Sequence, residues 1–177
     1  MSSSTQNHIF SRLLILVFFL FFLIFQSYGQ VKKIQSGIVY YFTQYIEWPA
    51  NKKSGDFIIA VFGNDEISQH LEDMAKVRKV GSRNIRVKTV TNAQDAKDAH
   101  ILYLPQSMQA IINPTLSFTK KENILLVSEG KGTAKEGACI GFVQKNGKPS
   151  FEINTETLAA SSLKISQKLT ALGTVVK

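Results

Sequence analysis

Few residues in this chain have the type and spacing that catalysis or metal binding requires. The histidines are His8, His70 and His100, and the one cysteine is Cys139. Zinc sites draw three or four Cys, His or carboxylate ligands from short, recognisable spacings. Neither His70 nor His100 has such neighbours, so the sequence predicts no metal centre and no cofactor. His100 opens the apolar run that ends at Leu104 and reads as a satisfied residue at a strand's rim. No G-x-S-x-G elbow occurs, and Cys139 has no partner base in sight. It lies in the apolar run from Ala138 to Val143, which describes a small buried hydrophobe; the other reading is an intermolecular bridge.

Two loops and one carboxylate remain. Gly63-Asn64-Asp65 joins an apolar run to a helical pattern, the position where many α/β proteins bind ligands. The G-x-G-x-x-G spacing is absent and Asp65 would repel a phosphate, so a tight turn with a polar cap is the expectation. Glu129-Gly130-Lys131-Gly132-Thr133 is superficially similar to a phosphate loop, but the Walker spacing is missing and a strand pattern follows where a helix belongs. A mobile loop is predicted there, with an anion site as the alternative. Glu47, beside Trp48 and Pro49, is the most suggestive carboxylate because it ends a helical pattern among aromatics. Its plainer reading is a solvated helix-end residue. None of this predicts an enzyme.

The elements that position these residues start after an export signal. Arg12, with His8 nearby, precedes 13 unbroken apolar residues from Leu13 to Phe25. Ser27 and Gly29 then put small residues at −3 and −1 of a cut between Gly29 and Gln30. A spanning helix needs about 20 apolar residues, so a cleavable signal peptide over 1–29 is expected rather than a retained anchor. The working chain is then 30–177, one domain with a core, in the periplasm. Without Arg12 it carries 20 basic and 13 acidic residues, a net charge of +7. In an exported protein that favours acidic proteins, anionic lipid or wall polymers over nucleic acid. Lys76, Arg78, Lys79, Arg83, Arg86 and Lys88 crowd one stretch without an acid, as in an edge strand guarded by charge.

Periodicity predicts a first helix over about Lys32 to Ile46, with Val31, Ile34, Ile38, Tyr41, Phe42 and Tyr45 recurring at three- and four-residue steps. Val39, Tyr40 and Ile46 widen its apolar face, so the helix lies between two layers or meets a partner. Phe57 to Phe62 is continuously apolar, as a central parallel strand is. A helix over Asp65 to Arg78, strands at Ile85–Val90, Ile101–Leu104 and Ile124–Val127, and a helix over Gln106–Phe118 interrupted at Pro114 follow. Asn146-Gly147 turns a hairpin between Ala138–Gln144 and Lys148–Ile153. Asn154 then caps a helix lined by Leu158, Ile165, Leu169 and Leu172. The fold class is a single layered α/β domain: a mixed, mostly parallel sheet flanked by helices, with a C-terminal hairpin plus helix.

In this order YYFTQYIEWP (Tyr40–Pro49), FIIAVFGNDEI (Phe57–Ile67), HILYLP (His100–Pro105), ILLVSEGKGTAKEGACIGFVQKNGKPSFEIN (Ile124–Asn154) and LKISQKL (Leu163–Leu169) resemble the YfiR family of exported bacterial proteins. The similarity runs from about Gln35 to Leu172. It implies a periplasmic α/β domain, often dimeric, that restrains a membrane-bound diguanylate cyclase and so cyclic-di-GMP signalling and biofilm formation. Members of the regulatory type can carry disulfides that couple them to redox state; this chain, with one cysteine, cannot form an internal one, which argues against redox control here and against strict equivalence to those regulators. The expected partner is a membrane-bound sensor, a diguanylate cyclase or a histidine kinase, with a homodimer as a further possibility. Tyr41, Tyr45, Glu47 and Trp48 are the expected partner or dimer surface. The alternative function is small-molecule binding at the strand ends after Phe62, Leu104 and Val127.

Overall fold

The computed structural model describes Arg12, Leu14 and residues 29–176. The rest of the expected signal peptide lies outside the described residues. Gly29 and Gln30, the expected cleavage pair, are helical and belong to α1, which runs over 29–45. There follow β1 (Ile46–Glu47), β2 (Phe57–Phe62), α2 (Ile67–Val77), β3 (Lys79–Val80), β4 (Arg83–Val90) and β5 (Ile101–Leu104). Next come α3 (Ile112–Lys121), β6 (Leu125–Glu129), β7 (Ile140–Lys145), β8 (Lys148–Asn154) and α4 (Thr155–Ala160). The chain closes with β9 (Lys164–Ile165), α5 (Gln167–Thr170) and β10 (Thr174–Val176).

The main sheet has eight strands in the order β10-β8-β7-β6-β5-β2-β4-β3. Its centre, β4-β2-β5-β6-β7, is wholly parallel. β8 returns antiparallel to β7 through the Asn146-Gly147 turn, where φ is 52° and 72°. That is the positive-φ pair a two-residue hairpin needs. Every residue of β5 and β6 is buried, as continuous apolar runs covered on both faces must be. α2 steps from β2 to β4 and α3 from β5 the other way to β6. Right-handed crossovers put the two helices on opposite faces. The architecture is therefore the mixed, mostly parallel α/β sheet flanked by helices that the pattern predicts.

α1 does not pack as its most regular stripe suggests. Val39, Phe42 and Ile46 are buried, with Phe42 lying 5.9 Å from the Phe142 ring and edge-on to Phe151 at 5.3 Å. Ile34 and Tyr41 remain 45% and 50% exposed, while Ile38 and Tyr45 are half-buried. Both faces of the helix are apolar, and the inner one is the face whose Phe42 fits between Phe142 of β7 and Phe151 of β8.

The C-terminal helix is shorter than its leucines predict. α4 stops at Ala160 because Ser162 turns left-handed (φ 56°), with Leu163 N–H donating to Leu158 O and Ser162 N–H to Ala159 O. These two bonds are a Schellman stop with serine in place of glycine. Ile165 then pairs with Ile46 in a small antiparallel ribbon, and the last residues add β10 beside β8. Pro114 causes no break, since it sits in the first turn of α3, where its missing N–H is harmless. The basic strand is an edge only in part. β3 covers its first two residues, and Arg83 is no guard: it donates to the carbonyls of Lys52, Ser54, Gly55 and Asp56.

Candidate functional site

The parallel strands end together on one side of the sheet, and β2 and β5 diverge there to opposite neighbours. That switch point is where open α/β sheets leave a crevice. The two loops that read as weak candidates one at a time converge on it. Asp65 follows β2 and Glu129 ends β6, and Lys32 of α1 reaches between them. Its Nζ lies 2.9 and 3.1 Å from the carboxylate oxygens of Asp65 and 2.8 and 2.9 Å from those of Glu129. The three side chains are 15%, 16% and 11% exposed, so solvent screens them little.

Each carboxylate is itself positioned. Asp65 Oδ1 accepts the Ile67 N–H at the start of α2, while Glu129 Oε2 accepts the Gln106 N–H. Gln109 Nε2 donates to the Glu129 carbonyl at 2.7 Å, and Gly130 (φ 116°) makes room for it: a Cβ there would stand 1.7 Å from that nitrogen. The following turn is anchored at two of its residues. Thr133 and Ala134 are buried, and Asn154 Nδ2 donates to the Ala134 carbonyl at 2.8 Å.

Tyr103 lies below the ion cluster, its ring centroid 5.8 Å from the Lys32 ammonium and its hydroxyl donating to Gln35 Oε1 at 3.4 Å. Burial and the adjacent Glu129 and Asp65 charges drive its phenol well above the usual range, so it stays protonated. One ammonium between two carboxylates leaves one net negative charge at the strand ends. A groove of about 1250 Å³ opens beside it, with Val31, Lys32 and Gln35 on one side and the β7–β8 hairpin on the other. Such an arrangement can bind a polar molecule and can lock α1 to the sheet.

The strand ends after Phe62 and Leu104 and that of β6 therefore do meet at a groove. The aromatic set divides. Tyr41 and Tyr45 stack at 6.2 Å on the outer face of α1. Glu47 is exposed and pairs with Lys53 at 3.0 Å, whose hydrogen bond and charge hold its carboxyl below the usual range. Trp48 is not part of that surface: it is 6% exposed, stacks edge-on to Phe57, and donates to the His100 carbonyl at 3.1 Å. His100, at the opposite end of the sheet, is buried with both ring nitrogens engaged. Cys139 is fully buried, 3.9 Å from Ser161 Oγ, and burial pushes its thiol up to about 11. Among the described residues no group of three or more His, Cys, Asp or Glu could hold a metal ion.

Lys32, Gln35 and Tyr103 are the site residues that sequence reasoning missed. The available signal was spacing: Lys32, Gln35, Ser36 and Val39 share one face of α1, and three of the four are polar.

No curated protein sequence matches this chain. Solved structures similar to this chain include the ABC domain in complex with L-Trp from Streptococcus pneumoniae, at 11% identity and a TM-score of 0.49, covering 68% of this chain and 55% of that one. CD0873, a substrate binding protein with adhesive properties from Clostridium difficile, matches at 13% identity and 0.49, over 68% and 54%. A conserved domain protein of Vibrio cholerae matches at 12% and 0.47, again over 68% and 54%. The chain spans about half the length of each. No helix among the described residues is long and apolar enough to cross a membrane. A family model described as YfiR/HmsC-like matches residues 32–174, nearly the whole folded domain, and the chain belongs to the YfiR/HmsC-like family.

Proposed function

We propose that this protein is a periplasmic regulatory binding protein, not an enzyme, that docks on the periplasmic part of a membrane sensor and restrains it. The sensor is a diguanylate cyclase on this reading, and the output is lower cyclic-di-GMP and less biofilm. Family membership supports the pathway. The observation that carries the docking is the outer face of α1. Val31, Ile34, Ile38, Tyr41 and Tyr45 follow one another at steps of three, four, three and four residues, the spacing of a coiled-coil seam. The seam is left partly exposed while the helix's other face fills the core. Capture from membranes with the wild-type protein should recover a multi-domain sensor, and Tyr41→Glu should lose it. Recovery of no sensor, together with unchanged cyclic-di-GMP on gene deletion, would overturn this reading.

The same seam would serve a second copy of the chain. Light scattering of wild type and Tyr41→Glu separates the cases, because a homodimer through α1 should fall to monomer in the variant. A second reading, small-molecule sensing, is favoured by the groove at the strand ends. A thermal-shift screen with amino acids, nucleotides and wall fragments tests it, and a flat response throughout removes it.

A further inference from the structure

We infer that the first turns of α1, residues 29–38, form a lid over the strand-end groove, held shut by Lys32, and that its opening withdraws part of the partner seam. The functional half of this inference rests on the docking reading above; the lid itself rests on packing.

α1 is attached to the domain in two chemically different ways. From Val39 to the end of the helix the inward residues are Val39, Phe42 and Thr43, at 0%, 0% and 5% exposure, with Thr43 Oγ1 donating to the Tyr40 carbonyl, and Ile46 follows in β1, also at 5%. Burial of that kind is non-directional and holds unless the core itself opens. Before Val39 the inward residues are polar, Lys32, Gln35 and Ser36, apart from Ile38, which is half-buried against the core at the hinge itself. Gln35 accepts a long bond of 3.4 Å from Tyr103, and Ser36 Oγ donates to Lys33 O within its own helix. The strong tie from these turns to the sheet is the Lys32 ammonium between Asp65 and Glu129. Val31, Lys32 and Gln35 also line the groove rather than close-packed core.

A charged tie is one that a competing charge in the groove can release, whereas Phe42 against Phe142 and Phe151 is not. Local opening should therefore stop near Val39, since elements open in units set by their packing. Val31 and Ile34 travel with the lid, while Tyr41 and Tyr45 stay with the anchored half. The state of Lys32 thus sets whether the seam is five residues long or is cut back toward its aromatic end.

Amide hydrogen exchange on the protein as the cell produces it tests this, comparing wild type with Lys32→Met, Lys32→Arg and the exposed control Lys33→Met. Lys32→Met should accelerate exchange over residues 33–38 about tenfold or more, and over 39–46 by less than about twofold. Lys32→Arg, whose planar fork can span both carboxylates, should restore protection, and Lys33→Met should match wild type. No acceleration, or equal acceleration through residue 46, overturns the lid. If Lys32→Met does not accumulate, Glu129→Gln weakens the same lock from the sheet side and is read in the same peptides. Exchange needs no partner. An inert lid with a captured sensor sinks the lid alone, and a responsive lid without a sensor sinks the docking reading alone.

Discussion

His100 makes the stability of this domain depend on pH between its ordinary value of 6.5 and about 4. Its Nδ1 faces the Ile58 N–H at 3.0 Å and must accept, which puts the proton of the neutral ring on Nε2, donated to the Lys52 carbonyl at 2.8 Å. The ring stacks on Phe57 at 4.3 Å and is 3% exposed, with the guanidinium of Arg83 2.7 Å from Nε2. Burial first, then the positive charges of Arg83 and Lys52, lower its pKa from 6.5 to about 4. Above pH 6.5 both folded and unfolded chains carry a neutral ring, and this residue gives pH no purchase on stability. Below it the unfolded chain takes up a proton that the folded chain refuses until about pH 4. Stability therefore falls with falling pH across that interval, by about 1.4 kcal/mol per unit and on the order of 3 kcal/mol in all. The exposed carboxylates with lowered pKa, Glu47, Asp73 and Asp98, act only as pH falls below their ordinary values of 4.5, 3.8 and 3.8. Urea unfolding followed by circular dichroism at several pH values between about 7 and 4.5 gives the slope. His100→Asn keeps an acceptor for Ile58 N–H but cannot titrate; it should be less stable at neutral pH and lose about one proton's worth of slope. Parallel slopes in the two proteins would refute the argument. So would a wild-type His100 ring that protonates near pH 6.5 in an NMR titration.

Arg83→Met strips the 52–56 turn of a donor that reaches four carbonyls. Charge-assisted bonds of this kind are each worth about 1.5–3 kcal/mol, so urea unfolding should show a loss of at least that size, with exchange in the turn accelerated most. Ser162→Gly removes the side chain that makes φ 56° costly and should raise stability by about 0.5–1 kcal/mol, read as a higher melting temperature; Ser162→Val should lower it. Cys139 should resist thiol reagents at neutral pH until the chain unfolds, because its sulfur is fully buried and its pKa is pushed up to about 11. Rapid labelling of native protein would contradict that burial.

The sheet was legible because its signals are local. FIIAVF, ILYL and the run into Val127 are apolar throughout, which is what two covered faces demand. Asn-Gly is a turn by its own φ preference, and Asn154 caps α4 by accepting the Thr157 N–H at 2.9 Å. Signals failed where a residue acted against its type. Ser162 holds a left-handed stop that composition assigns to glycine, so the leucines beyond it read as one continuous helix. Nor could spacing say which side of α1 turns inward, since Val39-Phe42-Ile46 and Ile34-Ile38-Tyr41-Tyr45 are both apolar helical stripes. The site was hidden for another reason: Lys32 and Glu129 stand 97 positions apart, and nothing near either one names the other.

Those two failures have one origin, which bears on function. A helix with a single apolar stripe declares its inner face, and its polar residues are then solvent-facing by default. α1 has apolar residues on its outside and Lys32, Gln35 and Ser36 on its inside. Burying three polar side chains in place of aliphatic ones gives up hydrophobic stabilisation, while leaving Ile34 and Tyr41 in water gains none. Val39 and Phe42 hold the later turns inward, so selection for stability alone would place aliphatic residues at 32, 35 and 36 and polar ones at 34 and 41. An arrangement that costs stability at both faces persists where each face has something else to meet: a partner across the seam, and at the strand ends a pair of carboxylates whose hold on Lys32 can be released.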